Sequence, residues 1–134
     1  MTIQQQIDQF LAAPAFGVIG ASTNRSKYGN KVLRCYLQHG YRAVPVNPKE
    51  REIEGIACVS AIADLPAEVK SISMITPPEV TVQLVRSAHE KGIENIWMQP
   101  GAEHPEAVAF CRQHDINVIA DGSCLLVVMG YHDH

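Results

Sequence analysis

Short apolar runs alternate along the chain with longer stretches whose apolar positions recur every three or four residues. Residues 2–13 carry Ile3, Ile7, Phe10 and Leu11 at helical spacing. The brief run "AFGVIG" (15–20) ends in glycine and predicts a buried strand. Residues 28–39 place Val32, Leu33, Tyr36 and Leu37 on one helical face, and Gly40 follows where a C′ glycine ends a helix. "YRAVPV" (41–46) is a second strand, and the charged stretch "NPKEREIEG" (47–55) predicts a loop. A short strand or extended piece follows near Ala57–Val59, then "AIADLP", which is one helical turn at most. "SISMIT" (71–76) is the next buried strand. The helix after it, "TPPEVTVQLVRSAHEKG", has Thr76 and Glu79 at capping-box spacing, prolines in its first turn and Gly92 at its end. "IENIWM" (93–98) predicts a strand, residues 103–115 a helix and "INVIA" (116–120) the last strand. "SCLLVVMG" is either a final short helix or an irregular apolar tail.

Strands joined by crossover helices imply right-handed βαβ units and a parallel sheet. The expectation is an α/β fold: an open, doubly wound parallel sheet of about five strands, order 3-2-1-4-5. Residues 1–134 read as one domain without a linker. At 46% hydrophobic and 19% charged residues the chain can bury a full core. A net charge of −3 argues against a dedicated nucleic-acid binder. No apolar run is long enough to span a membrane, and the N-terminus lacks the basic and apolar regions of a signal peptide. The four cysteines, Cys35, Cys58, Cys111 and Cys124, are scattered without a CxxC pair, so neither a zinc site nor a redox motif is encoded. A cytoplasmic protein with reduced thiols is expected.

In such sheets ligands sit beyond the carboxyl ends of the strands, at the switch point beside the first strand. Four loops converge there: "GASTNRSKYG" (20–29), "NPKE" (47–50), "TPPE" (76–79) and "QPGAEHP" (99–105). The first loop is not the dinucleotide fingerprint, because the glycine after Gly20 is Gly29. Nor is it a P-loop, since Val32 stands where the hydroxyl belongs. The second strand ends in Val46-Asn47-Pro48-Lys49, with no carboxylate for ribose hydroxyls. The loop still carries phosphate-binding chemistry. Gly20 permits a tight turn, Ser22, Thr23 and Ser26 offer hydroxyls, and Arg25 and Lys27 offer charge. The helix opening near Tyr28 and Gly29 points its amino end at the same place. Lys49 adds a second cationic point, so a ligand with phosphates at two places would use both sets.

The residues "VIGAS" with the long "NRSKYG" loop, "VPVNPK", "ITPPEV", "WMQPGAE" and "DGSC" together resemble a stand-alone CoA-binding domain. This is the Rossmann-like module also found at the start of the succinyl-CoA ligase alpha subunit, and the likeness covers nearly the whole chain. The resemblance implies coenzyme A or an acyl-CoA bound across the rim. Gly20, Ala21, Ser22, Arg25 and Lys27 would face its phosphates, within a loop that includes Ser26, Tyr28 and Gly29. Asn47, Pro48 and Lys49 would lie near the adenosine end and its 3′-phosphate. Thr76, Pro77, Pro78 and Val80 would flank the adenine or the start of pantetheine, and Gln99, Pro100 and Gly101 would lie toward the thiol. The ligase's phosphorylatable-histidine domain and nucleotide-binding partner subunit have no counterpart in this sequence, so the resemblance implies binding rather than ligation. Two other readings stand beside it: an NAD(P)-binding, oxidoreductase-type domain, and an interaction module with a vestigial CoA site acting as a homodimer or on a partner enzyme.

Cys124 stands at the start of the last apolar segment. It is either a thiol activated by a helix start and able to exchange with the thiol of CoA, or a buried inert residue among Leu125 to Val128. Of the six histidines only His104 falls in a rim loop, where capping a helix is its alternative role. His132 and His134 lie in the terminal tail. No Ser-His-Asp or Cys-His pairing and no metal-ligand spacing emerges, so no catalytic residue is assigned. Trp97 is expected in the core.

Overall fold

The computed structural model describes residues 1–133, so His134 lies outside it. The chain opens on α1 (Ile3–Leu11), whose start is a reciprocal cap. Thr2 Oγ1 accepts the Gln5 N–H and Gln5 Oε1 accepts the Thr2 N–H. β1 (Phe16–Ile19), α2 (Tyr28–Gln38) and β2 (Ala43–Val46) follow. A small hairpin comes next, β3 (Glu52–Ile53) and β4 (Ile56–Ala57), then a single 3₁₀ turn, Ile62–Asp64. The second half runs β5 (Ser71–Met74), α3 (Pro78–Lys91), β6 (Asn95–Met98), α4 (Pro105–Gln113), β7 (Asn117–Ile119) and α5 (Leu125–Met129).

Five of these strands form one parallel sheet in the order β2-β1-β5-β6-β7. Every residue in them is buried, as expected when helices cover both faces. One face packs beneath α3 and α4, through Val85, Ala88 and Cys111 against Ile72 and Ile96. The other packs beneath α1, α2 and α5, where Phe16 stacks on Tyr36 at 4.7 Å and Trp97 meets Phe10 edge-on at 5.4 Å. Among the described residues no helix is long and apolar enough to cross a membrane.

Counted along the chain, the five strands run 2-1-3-4-5, which corrects the order 3-2-1-4-5 at one edge. Outside β2 there is only the single parallel bridge Val46↔Val59. The chain spends residues 52–57 on the β3–β4 hairpin and then turns at Ile62–Asp64, so no full strand forms there. The switch point falls between β1 and β5.

The two ends of the sheet differ. Across the amino ends, Ser71 Oγ donates to Phe10 O (2.9 Å) and Asn95 Nδ2 to Ser71 Oγ (3.1 Å). Asn117 Nδ2 donates to Asn95 Oδ1 and to Gln6 O, both at 3.0 Å. This ladder of buried polar groups is fully partnered and ties α1 across the sheet. The carboxyl ends open into the loops that were expected to converge.

Thr76 does not cap α3. The helix begins at Pro78 with Pro77 at the N-cap, and Thr76 Oγ1 lies 2.6 Å from Thr81 Oγ1. The two prolines set the helical φ themselves and move the start one residue along, which takes Thr76 out of capping register.

Candidate functional site

The loop after β1 is shaped by two close backbone contacts. Gly20 has φ +91°, and a Cβ on it would lie 2.1 Å from the Ile75 carbonyl oxygen. Gly29 sits in the first turn of α2, where a Cβ would lie 2.1 Å from the Gly20 carbonyl oxygen. The start of the helix is thus pressed onto the end of the strand. Two glycines nine positions apart give the close approach that the shorter dinucleotide turn achieves with three.

Side chains then pull the loop's carbonyl groups inward. Asn47 Nδ2 donates to Ala21 O (2.9 Å), Asn30 Nδ2 to Ser22 O (2.8 Å) and Arg34 Nη2 to Arg25 O (2.7 Å). Asn30 and Arg34 are buried on α2 and joined by a 2.6 Å bond from Arg34 Nε to Asn30 Oδ1. In a planar trans peptide the C=O and the next N–H point in opposite directions. Holding the Ala21 and Ser22 carbonyls inward therefore turns the Ser22 and Thr23 N–H groups outward. Arg25, Ser26 and Lys27 are exposed beside them, and Ser26 Oγ donates to Asn24 Oδ1 at 2.7 Å. Ala21 and Gly29 are buried, so they contribute backbone alone.

Next to this loop, beyond β1, β2 and β5, lies a cleft of about 370 Å³. Its walls bring together Gly20, Asn47, Pro48, Thr76 and Val80 from three separate stretches of sequence. They also include residues the sequence reading missed: Ser60 to Ala63, Leu84 and Ser87. Leu84 and Ser87 stand four and seven positions after Val80 on α3, a helical repeat legible in advance. Ser60 to Ala63 carried no such signal. A shallower hollow of about 280 Å³ adjoins Thr76 and Pro77 and is lined by Pro100 and Gly101. Lys49 is exposed, with its N–H held by Asn47 Oδ1 at 2.8 Å. Pro78 opens α3 and lines neither hollow.

Tyr28 and Gln99 lie beneath the rim and brace it. Gln99 Oε1 accepts from the Tyr28 hydroxyl and from the Leu125 N–H, both at 2.9 Å. The Tyr28 oxygen is also 2.6 Å from Cys124 Sγ. Burial, reinforced by the Cys124 contact, pushes the Tyr28 phenol well above its usual range. Trp97 is in the core as expected and spends its Nε1–H on Ser123 O at 2.9 Å. Cys124 is half-buried at the N-cap of α5. Burial pushes the Cys35 thiol up to about 11 and the Cys111 thiol up to about 12. His104 caps α4, its Nδ1 accepting the Glu106 N–H at 3.1 Å.

A family described as a CoA binding domain matches residues 15–129. The chain is 28% identical over 91 residues to the alpha subunit of an ADP-forming acetate–CoA ligase II of Pyrococcus furiosus. That match covers 67% of this chain but only 20% of the ligase subunit. A solved structure of a conserved hypothetical protein from Pyrococcus furiosus is similar at TM-score 0.81 and 37% identity, covering 85% of this chain and 97% of that one. A Thermus thermophilus structure matches at TM-score 0.82 and 27% identity over 96% of each chain. The matched residues include all five strands of the sheet and all four loops of its open rim, and the chain belongs to the CoA-binding domain family.

Proposed function

We propose that the protein binds coenzyme A or an acyl-CoA through the Gly20–Gly29 loop, without catalytic machinery of its own. The observation that carries this reading is the set of inward-held carbonyls, which turns the Ser22 and Thr23 N–H groups outward beside two exposed cations. The Ser22 and Thr23 N–H groups, with Arg25 and Lys27, take the diphosphate. The cleft between Asn47–Pro48 and Thr76–Val80 has apolar walls suited to adenine, and Lys49 takes the 3′-phosphate. The hollow at Pro100 and Gly101 leads pantetheine away toward the thiol end. The strand ends in Asn47, an amide spent on the Ala21 carbonyl and on the Lys49 N–H, where a dinucleotide's ribose would need a carboxylate. Asn30, Arg34 and Asn47 are engaged in shaping the loop, which suits a carrier, sensor or regulatory partner of an enzyme that handles the acyl group.

Calorimetric titration with coenzyme A, dephospho-CoA and NADPH tests the reading. Coenzyme A should bind at least about tenfold tighter than either of the others, a difference of about 1.4 kcal/mol. Absence of CoA binding, or NADPH binding as tight, overturns it.

A further inference from the structure

The β3–β4 hairpin turns on Glu54-Gly55, and both residues have positive φ, 53° and 78°. A two-residue turn left-handed at both positions favours Asn-Gly or Asp-Gly. A longer L side chain is strained there, and the only other non-glycine with positive φ among the described residues is Asp115. Glutamate gains reach in exchange. Its Oε2 lies 3.4 Å from Arg25 Nε and 3.2 Å from Asn30 Nδ2. That Asn30 amide is the one that holds the Ser22 carbonyl inward. The hairpin is anchored too: Ile53 is buried in the same cluster as Val32 and Leu33 of α2. A fixed element therefore delivers a carboxylate to the cation and the amide that build the loop.

We propose that Glu54 is the internal counter-ion of the phosphate site, occupying Arg25 when no ligand is present and displaced when one binds. The identity of that ligand rests on the CoA reading above. The Glu54 carboxylate brings one negative charge and two oxygens to the edge of the loop. A diphosphate brings more charge and more acceptors, and it also reaches the outward Ser22 and Thr23 N–H groups. It therefore outcompetes Glu54, whereas a small monoanion offers Arg25 nothing that Glu54 does not. The Arg25 side chain is 57% exposed, so the pair is weak enough to exchange. Glu54 thus sets a threshold of charge for occupancy and keeps simple anions off the loop.

The test titrates wild type, E54Q, R25Q and the R25Q/E54Q double variant with coenzyme A and with inorganic pyrophosphate, at several potassium acetate concentrations. E54Q should bind coenzyme A about three- to tenfold tighter than wild type, and acetate should weaken it more steeply. In the R25Q background the same change should give no gain. E54N, which removes the charge and places a preferred residue in the turn, should reproduce the gain if E54Q folds poorly. Equal or weaker binding by both Glu54 variants overturns the proposal, as does a gain that persists without Arg25. Wild-type CoA binding with no gain in the variants sinks the counter-ion alone. Tighter pyrophosphate binding by E54Q without any CoA binding supports the counter-ion and sinks the CoA reading. No binding of either ligand by any form sinks both.

Discussion

At the scale of single residues, the loop after β1 is shaped by what Gly29 lacks. A Cβ there would fall 2.1 Å from the Gly20 carbonyl oxygen, and backbone on both sides leaves little room to give. Gly29→Ala should cost about 1–3 kcal/mol in urea denaturation, the range for forced overpacking. It should also weaken CoA binding by at least about tenfold, because the helix start moves off the strand end. An alanine variant with unchanged affinity would show that this contact does not shape the binding loop. The cysteines separate by burial in the same way. A raised thiol pKa means less thiolate at a given pH, so at pH 8 burial leaves Cys35 and Cys111 with about a hundredfold less than an ordinary thiol, or lower still. Iodoacetamide on the native protein, followed by peptide mass mapping, should label the half-buried Cys58 and Cys124 first. Labelling of Cys35 or Cys111 at a matching rate would mean that this core opens readily.

At the scale of elements, apolar periodicity carried most of the fold. Strands whose every residue is buried show as short apolar runs, and α2 and α3 show their buried faces at helical spacing. The β3–β4 hairpin was hidden because its strands are two residues long and its turn is Glu-Gly rather than Asn-Gly. "EIEG" therefore reads as the end of a charged loop, although Ile53 and Ile56 flank the turn symmetrically. The strand order at the β2 edge depended on that hairpin and was misjudged with it. Capping shows how spacing alone misleads. Thr76 and Glu79 had the spacing, but the prolines moved the start; Thr2 and Gln5 had it and form the box. Of the site, the glycines, the cations and the Asn47–Pro48 and Thr76–Val80 walls were legible as loop chemistry. The roles of Asn30 and Arg34 were not, because a buried polar residue inside a helix looks like a solvent-facing one until its partners are known. Thr2→Ala should lower stability by about 0.5–2 kcal/mol. Thr76→Val should cost less, because no helix amide depends on it. Thermal or urea unfolding of the two variants compares them directly, and a larger loss at Thr76 would restore it as a cap.

At the scale of the molecule, the buried brace and the proposed binding site lie at opposite ends of one sheet. The amino ends are closed by α1, through the Ser71–Asn95–Asn117 ladder and through Phe10 packed on Phe16 and Trp97. The carboxyl ends are left to loops held by side chains of α2 and by Asn47. Damage at one end should therefore leave the other working. Phe10 is fully buried, and Phe10→Ala should cost about 3–5 kcal/mol. The fraction that remains folded should bind coenzyme A as wild type does, because Phe10 sits at the amino ends of β1 and β5, against Phe16 and Ser71. A ligand that binds only the native state at a hundred times its Kd adds about 2.7 kcal/mol, so saturating coenzyme A should recover most of the loss in the Phe10 variant. The Gly29 variant, damaged in the loop itself, should gain far less from the same concentration. Paired denaturation curves with and without coenzyme A decide the matter: equal rescue of both variants would mean that the ligand does not depend on the loop after β1.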